Sequence, residues 1–245
     1  MREFGLIGKN IGHSFSAGYF NDRFKREGIE ARYSLFELAD ISELTDLLKA
    51  RPLLCGLNVT SPYKREVIPF LDSLSYKAHS LQAVNVIKII RGAEGGILLK
   101  GYNTDCPGFA QTLPSLGEVD AALVMGTGGA ASAVAMALEE SDIPYHLVSR
   151  NPKGSQIGSK DMNPLLPRCH LIVNATPVGM HPAAERFPDI DYSLLTPGHI
   201  CYDLIYTPPQ TEFLKRAEMW GAATKNGLDM LINQAAGSWE IWNNG

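Results

Sequence analysis

The chain has 245 residues, of which 45% are hydrophobic and 20% are charged, a composition typical of a globular protein with one large or two modest domains. Its net charge of −4, without any cluster of basic residues, argues against nucleic acid or an anionic membrane as a partner. No apolar run is long enough to span a membrane, and the first residues lack the pattern of a secretory signal, so we expect a cytoplasmic protein. The four cysteines and six histidines form no Cys-x-x-Cys or His-x-x-x-His pair, so we expect reduced thiols and no metal site.

The first hundred residues alternate between short apolar strands and amphipathic helices, which predicts an α/β domain with a mixed, mainly parallel sheet. Gly28 is expected to end the first helix, and Gly92, Gly95 and Gly96 separate two strands that should form a hairpin. The predicted elements are strands over residues 4–8, 31–38, 53–59, 84–90 and 97–100, and helices over residues 18–28 and 41–50.

From residue 104 onward the pattern is that of a second, more regular α/β domain, which we predict to be Rossmann-like. Residues 121–125 are all apolar, as expected for a strand buried on both faces of a parallel sheet. Residues 151–167, rich in proline and glycine, are expected to form a flexible loop. The boundary falls at residues 103 and 104, so one domain comprises 1–103 and 227–245 and the other 104–226. The predicted elements are helices over 104–116 and 227–242, and strands over 121–125, 145–149, 169–174, 199–203 and 221–225.

A glycine-rich turn follows the strand 121–125 and opens an alanine-rich helix. Gly126, Gly128 and Ala131 form a G-x-G-x-x-A pattern, in which the glycines permit a tight turn and a close approach to a pyrophosphate. Such a cluster can also be an ordinary tight turn between a strand and a helix. Because strand, turn and helix agree here, we favour a nucleotide site.

The end of the next strand indicates which nucleotide binds. An NAD site normally has an acidic residue there, which accepts hydrogen bonds from the ribose 2′-hydroxyl, whereas this chain has Ser149 and Arg150. A guanidinium can bind a 2′-phosphate with two hydrogen bonds, and Lys153 could add charge. Although a surface arginine after a strand is common, the missing carboxylate favours NADP.

Three polar segments of the first domain, residues 13–16, 58–64 and 101–105, each follow a strand or a strand-like run. Because sites in α/β proteins form beyond the carboxyl ends of strands, these segments are expected to share one crevice. Each segment alone has a structural alternative, since its serines or Asp105 could cap a helix and Lys64 could be a solvated lysine.

Read together, these segments resemble the shikimate dehydrogenase family, and the resemblance covers nearly the whole chain. Residues 13–16 are similar to the family's carboxylate-binding serine pair, 58–64 to its catalytic-lysine motif and 103–108 to its catalytic-aspartate motif. The other matching motifs are Ala83-Val84-Asn85, residues 126–131, 174–180 and 202–206, and residues 227–231 with Gln234 and Ala235. The resemblance implies a substrate-binding first domain, an NADP-binding second domain and a C-terminal helix that returns to the first. It also implies reversible reduction of 3-dehydroshikimate to shikimate, a step in aromatic amino-acid biosynthesis.

The resemblance assigns the chemistry to Lys64 and Asp105. Hydride transfer to a ketone builds negative charge on its oxygen, so Lys64 would donate a proton there while Asp105 holds the ammonium group in place. The substrate contacts that the resemblance implies are Ser14, Ser16, Thr60, Asn85, Asp105, Tyr206 and Gln234.

The resemblance also implies a set of cofactor contacts, with differences at the adenosine end. Ser149-Arg150-Asn151 stands where the family usually has Asn-Arg-Thr, and the chain is short around residues 151–167, so polar contacts there are expected to differ. Near the start, Ala17 replaces the usual proline, and Phe20-Asn21 replaces a His-Asn pair. The implied contacts are Gly126, Gly128, Gly129, Ala130, Ser149, Arg150, Asn151, Lys153, Thr176, Leu204, Gly227 and Met230.

Three alternatives stay open at this point. The chain could be a quinate/shikimate dehydrogenase with relaxed cofactor use, or a catalytically silent nucleotide-binding regulator on the same fold. A silent binder would need neither Lys64 nor Asp105. A Rossmann-type domain for S-adenosylmethionine or a flavin would leave the motifs of the first domain unexplained. We expect a monomer or a homodimer.

Overall fold

The computed structural model describes residues 1–12, 14–92 and 95–244. The chain forms two compact units, unit 1 with Met1–Thr104 and Ala235–Gly245 and unit 2 with Asp105–Gln234. His13, in the serine motif, lies outside the described residues, as does part of the predicted hairpin turn. The division into functional domains at residues 103/104 and 226/227 stays a prediction, because compactness does not say what either unit binds. No helix in the described ranges is long and apolar enough to cross a membrane.

Unit 1 contains a mixed sheet, as predicted, but it has six strands rather than the five predicted, because the short strand Ser73–Leu74 was missed. Its strand order is β2-β1-β3-β5-β6-β4, in which β2, β1 and β3 are parallel and β5 is antiparallel to both β3 and β6. The predicted hairpin is therefore confirmed as β5 and β6. The strands are β1 (Arg2–Gly8), β2 (Ala31–Glu37), β3 (Leu54–Val59), β4 (Ser73–Leu74), β5 (Val86–Arg91) and β6 (Ile97–Tyr102), and the helices are α1 (Phe15–Glu27), α2 (Leu44–Ala50), α3 (Tyr63–Glu66) and α4 (Tyr76–Leu81).

Unit 2 contains a six-stranded sheet in which all neighbouring strands are parallel, in the order β12-β11-β10-β7-β8-β9. Every residue of β7 and β10 is buried, which confirms the prediction from the apolar run 121–125. The strands are β7 (Ala122–Met125), β8 (Tyr145–Ser149), β9 (Ile157–Gly158), β10 (Leu171–Asn174), β11 (Ile200–Asp203) and β12 (Ala223–Lys225), and the helices are α5 (Asp105–Ala110), α6 (Gly129–Glu139) and α7 (Glu212–Met219). Helix α8 (Leu228–Asn243) begins in unit 2 and belongs to unit 1 from Ala235 onward.

Two predicted helices have different bounds in the structure. Helix α1 begins before the predicted residue 18, because the Ser14 side chain caps it by accepting a hydrogen bond from the Ser16 backbone, and it ends at Gly28 (φ 64°) as predicted. The predicted helix 104–116 is wrong in its second half. Helix α5 ends at Ala110, and residues Leu113–Leu116 form a 3₁₀ turn that has a proline in its first positions.

The flexible loop predicted over residues 151–167 instead contains regular structure. Strand β9 pairs with the end of β8, and the 3₁₀ helices Ser159–Asp161 and Asn163–Arg168 follow it. Leu166 is fully buried and anchors the second of these helices. Pro164 lies in the first turn of that helix, where a missing backbone N–H costs no hydrogen bond. Proline content did not indicate flexibility here, because these prolines are compatible with tight helical turns.

Unit 1 closes around aromatic side chains at the end of helix α8. The Trp242 ring stacks on Phe4 with centroids 4.8 Å apart, and its indole N–H donates to the carbonyl oxygen of Ile87 at 3.0 Å. A Cβ atom on Gly56 of β3 would lie only 2.2 Å from Trp242 Nε1. Glycine in the middle of β3 therefore gives the indole its space against the sheet.

Buried polar side chains join two neighbouring strands of unit 2 at their carboxyl ends. Asp203, the last residue of β11, accepts hydrogen bonds from the Asn174 side chain at 3.1 Å, the Ile205 backbone at 3.0 Å and the Thr211 hydroxyl at 2.6 Å. Burial nevertheless raises the pKa of the Asp203 carboxyl to about 6, and the Thr211 hydrogen bond offsets part of that effect. The effect of desolvation on this pKa is thus larger than the combined effect of the three hydrogen bonds.

We expect the substitution Gly56→Ala to lower the free energy of unfolding by about 1–3 kcal/mol or more, since the added methyl group must displace the Trp242 ring. The measurement is urea denaturation. Gly18→Ala is the matched control, because Gly18 lies in α1 and a Cβ there meets no described atom within 4 Å. The control should stabilise the protein by roughly 0.5–1 kcal/mol. Equal effects of the two substitutions would contradict the assigned packing.

The raised pKa of Asp203 predicts a pH dependence of stability. The folded protein holds this proton up to about pH 6, whereas the unfolded chain loses it near the ordinary aspartate pKa of 3.8. This group's contribution is therefore fully present below the unfolded pKa and is lost as the pH rises through about 6, a change of about 3 kcal/mol. We expect Asp203→Asn to become more stable relative to the unsubstituted protein between pH 4 and 7, as measured by urea denaturation. A constant difference across that range would contradict the assignment.

Candidate active site

The serine pair lies in unit 1, in the segment from the end of β1 through the first turn of α1. Ser14 caps helix α1, because its Oγ accepts a hydrogen bond from the Ser16 N–H at 3.3 Å. The capping role that the sequence offered as an alternative for the serines is thus present at Ser14. Accepting that bond leaves the Ser14 hydroxyl proton able to donate to a ligand. The Ser16 hydroxyl hydrogen-bonds to the buried phenol of Tyr33, whose pKa is raised by burial. That phenol donates to Asn58 Oδ1 at 2.8 Å.

Thr60 and Lys64 follow strand β3. The backbone N–H of Thr60 donates to Ile7 at the end of β1, and a cis peptide precedes Pro62. Lys64 is half-buried in the one-turn helix α3. Its carbonyl oxygen accepts a hydrogen bond from the Val84 backbone at 2.7 Å, which ties α3 to the segment that leads into β5.

Asn85 stands immediately before β5 and is 3% exposed. Its side-chain oxygen accepts from the Thr104 backbone at 2.8 Å, and its amide donates to the Thr104 hydroxyl at 3.0 Å. Because β5 is antiparallel to β3, with Asn58 opposite Val86, the start of β5 lies at the same sheet edge as the end of β3. The structure thus brings five predicted residues to one edge of unit 1, namely Ser14, Ser16, Thr60, Lys64 and Asn85.

Three further predicted substrate residues belong to unit 2. Asp105 is the first residue of α5 and is 5% exposed. Helix α5 packs closely on α8, since a Cβ on Gly108 would lie 3.1 Å from Gln234 Cβ, and the Asn233 side chain donates to the Gly108 carbonyl at 3.2 Å. Tyr206 follows β11, and burial raises the pKa of its phenol.

The glycine turn of unit 2 has the geometry that a bound pyrophosphate needs. Gly126 has a φ of 115°, in the region that favours glycine, and its added Cβ would lie 3.0 Å from the Ala175 oxygen. By contrast, a Cβ on Gly128 or Gly129 meets no described atom within 4 Å, so these glycines leave space for a ligand. Gly128 precedes the N-terminus of α6, which contains Ala130, and the dipole of this helix favours negative charge at that end.

The loop after β8 carries the residues predicted for the adenosine end. Ser149 Oγ accepts the Asn151 backbone N–H at 3.2 Å, and the Lys153 N–H donates to Gln156 Oε1 at 3.1 Å. These bonds form a compact turn with Arg150 and Lys153 exposed, and neither cation has an ion pair with any described residue. The loop therefore presents two positive charges to solvent.

Of the residues predicted near the nicotinamide, Thr176 and Leu204 follow β10 and β11, and Gly227 and Met230 follow β12. Thr176 donates to Asn174 Oδ1 through its backbone N–H at 3.1 Å and its hydroxyl at 2.6 Å. Gly227 comes so close to Leu204 that a Cβ would lie 2.0 Å from the Leu204 oxygen. No residue with a side chain therefore fits at this position. Met230 is buried in α8. Asn174 and Asp203 stand in two of the matching motifs, but nothing in a linear pattern assigns them a role, because it does not show that their side chains meet.

Comparison with known proteins identifies the family. A family model described as the shikimate dehydrogenase substrate binding domain matches residues 6–87. The shikimate dehydrogenase (NADP(+)) of Pelodictyon phaeoclathratiforme is 37% identical over 97% of this chain and 90% of its own length.

Solved structures agree with this comparison. A shikimate 5-dehydrogenase from Thermus thermophilus, in complex with NADP(H) and shikimate, superimposes with a TM-score of 0.86 at 29% identity, over 100% of this chain and 94% of that one. A quinate dehydrogenase from Corynebacterium glutamicum, in complex with NAD, gives a TM-score of 0.85 at 29% identity, over 100% and 93%. The sequence identity across almost its full length shows that this chain belongs to the shikimate dehydrogenase family.

Proposed function

We propose that this chain catalyses the NADP-dependent, reversible reduction of 3-dehydroshikimate to shikimate. The observation that carries the proposal is the group of hydroxyl, amide and ammonium side chains at one edge of the unit 1 sheet, in a chain of this family. The glycine turn that opens α6 supports the nucleotide assignment. A cytoplasmic location and a monomeric or homodimeric state also belong to the proposal.

Unit 2 provides the glycine turn and the exposed positive charges that NADP binding requires. The turn from Gly126 to Ala130 would hold the pyrophosphate, and Ser149, Arg150, Asn151 and Lys153 would hold the 2′-phosphate. Thr176, Leu204, Gly227 and Met230 would border the nicotinamide. When bound as NADPH, this cofactor supplies the hydride.

Lys64 and Asp105 carry the proton transfer in this proposal. As the substrate ketone becomes an alkoxide, Lys64 Nζ donates a proton to that oxygen, and in the reverse reaction it accepts the proton. In this proposal the Asp105 carboxylate orients the ammonium group. Pre-placed charge of this kind stabilises the transition state because it need not reorganise as the reaction proceeds.

Substrate recognition rests on hydroxyl and amide groups. Ser14 and Ser16 donate to the substrate carboxylate, and the ring hydroxyls are bound by Thr60, Asn85, Asp105, Tyr206 and Gln234. A site that hydrogen-bonds hydroxyls rejects analogues without them, because its own polar groups would stay unpaired.

Quinate is a second candidate substrate, favoured by the similarity to a quinate dehydrogenase. A cofactor-reduction assay with shikimate or quinate, each with NADP+ or NAD+, tests both candidates. Turnover of shikimate with NADP+ supports the main proposal, and faster turnover of quinate would replace it. Absence of turnover in all four combinations would favour the silent regulator.

Replacing the exposed arginine tests the cofactor choice. We expect Arg150→Ala to raise KM for NADP+ by about tenfold or more, since a charge-assisted contact to the 2′-phosphate is lost, and to change KM for NAD+ little. Arg168→Ala is the matched control, because it removes an exposed arginine of the same unit outside the proposed site. An equal loss with both cofactors would show that Arg150 supports the fold.

The proposed catalytic pair is tested by single and double substitutions. We expect Lys64→Ala to lower kcat by roughly a hundredfold or more, which is typical of a positioned acid–base group, with little change in NADPH affinity. Asp105→Asn should also lower kcat. Because the two residues act as a pair, the double variant should be little worse than the poorer single variant.

Lys25→Ala, an exposed lysine of α1, is the control for the loss of a charge in unit 1 and should keep normal kcat. Fully multiplicative losses in the double variant would show that Lys64 and Asp105 act independently. A Lys64→Ala protein with near-normal kcat would remove this lysine from the chemistry.

A further inference from the structure

Asn174 and Asp203 face each other at the carboxyl ends of adjacent strands. They are register partners at the last position of β10 and β11, and both side chains are fully buried. The Asn174 amide donates to Asp203 Oδ1 at 3.1 Å. Neither residue takes part in the proton transfer proposed above, yet burying a carboxylate is costly, so their hydrogen bonds indicate a specific role.

The Asn174 side chain is surrounded by the loop that carries Thr176. Its oxygen accepts from both the backbone N–H and the hydroxyl of Thr176, at 3.1 and 2.6 Å, and its amide donates to the Val178 carbonyl at 3.0 Å. The Thr176 hydroxyl in turn accepts from the Val178 N–H at 3.2 Å. With the bond to Asp203, both amide hydrogens and both lone pairs of Asn174 are used, so only one orientation of this side chain satisfies the loop.

Asp203 holds the segment that carries Leu204. Its Oδ1 also accepts from the Ile205 N–H at 3.0 Å, and its Oδ2 accepts from the Thr211 hydroxyl at 2.6 Å. The Ile205 carbonyl accepts from the Gly227 N–H at 3.1 Å. A single carboxylate thus links the loop that contains Thr176, the segment after β11 and the residue before α8.

We propose that Asn174 and Asp203 are positioning residues that set the nicotinamide half of the NADP site, acting through Thr176, Leu204 and Gly227. The inference rests on the proposed function, which assigns those three residues to the cofactor. The pair works through complementary chemistry, since an amide donor meets a carboxylate acceptor. Replacing the amide donor by a second carboxylate of the same size should displace the loop that carries Thr176 and the segment that carries Leu204.

Asn174→Asp is the test variant. It replaces both amide hydrogens by an oxygen that faces the Asp203 carboxylate and the Val178 carbonyl, so two bonds become repulsions. Asp203→Asn is the conservative counterpart, because its oxygen can still accept from Asn174 and Ile205 while its amide donates to the Thr211 oxygen. Asn163→Asp is the matched control, since the Asn163 oxygen accepts the Asp191 N–H at 3.1 Å and an aspartate can do the same.

Two ligands distinguish an effect on the nicotinamide half of the cofactor site from an effect on its adenosine half. We measure Kd by calorimetry for NADPH and for adenosine 2′,5′-bisphosphate, which carries the adenosine end without the nicotinamide. Asn174→Asp should weaken NADPH about tenfold, the loss expected for a misplaced hydrogen bond, and should leave the bisphosphate within about twofold. Asp203→Asn and Asn163→Asp should keep both values within about threefold, less than the loss of one hydrogen bond.

The outcomes distinguish this inference from the proposed function. If the unsubstituted protein binds neither ligand, the cofactor assignment itself is wrong. If it binds both, an unchanged NADPH Kd in folded Asn174→Asp, or equal weakening of both ligands, overturns the positioning role. A purely structural role would lower the unfolding midpoint without the selective loss of NADPH. Should Asn174→Asp not fold, Asp203→Ala, which removes all three accepted bonds, takes its place with the same thresholds.

Discussion

Strand direction is the constraint on which the rest of this structure depends. In unit 2 all neighbouring strands are parallel, so the glycine turn after β7, the loop after β8 and the segments after β10 and β11 leave the sheet at one edge. In unit 1 the hairpin of β5 and β6 reverses direction twice. The start of β5 and the end of β6 therefore lie at the same edge as the ends of β1 and β3. Polar residues that are far apart in sequence become neighbours without any special contact between them.

Buried hydrogen bonds then orient the side chains that strand direction brings together. In unit 1 the phenol of Tyr33 donates to Asn58, and Asn58 donates to Ser238 of α8 at 2.9 Å, while Asn85 is fixed by Thr104. In unit 2 Asp203 has the corresponding role. These groups are costly to bury, as the raised pKa of Asp203 shows, so a protein selected for stability alone would have little use for them. Pre-oriented donors and acceptors are what a hydroxylated substrate and a dinucleotide require.

The connection between β8 and β9 carries the residues that the proposed function assigns to the adenosine end of the cofactor. Parallel strands are usually joined by a dozen or more residues with a helix, but here residues 150–156 suffice and contain no helix. The turn is held by the Ser149 and Gln156 side chains, and Arg150 and Lys153 are exposed on it. Recognition of the 2′-phosphate, in the proposed function, would rest on charge in an open turn rather than on a closed pocket.

The sequence by itself determined the fold class, the positions of most strands, the glycine turn and the candidate residues, because periodicity, turn residues and short motifs are local properties of a chain. It missed the 3₁₀ helices of residues 159–168, where prolines are compatible with tight helical turns, and the early start of α1, which depends on the Ser14 cap. Only the tertiary structure decided which residues meet. The contact of Gly56 with Trp242 and the pairing of Asn174 with Asp203 join residues distant in sequence, and their close fit is a property of packed space that no linear pattern records.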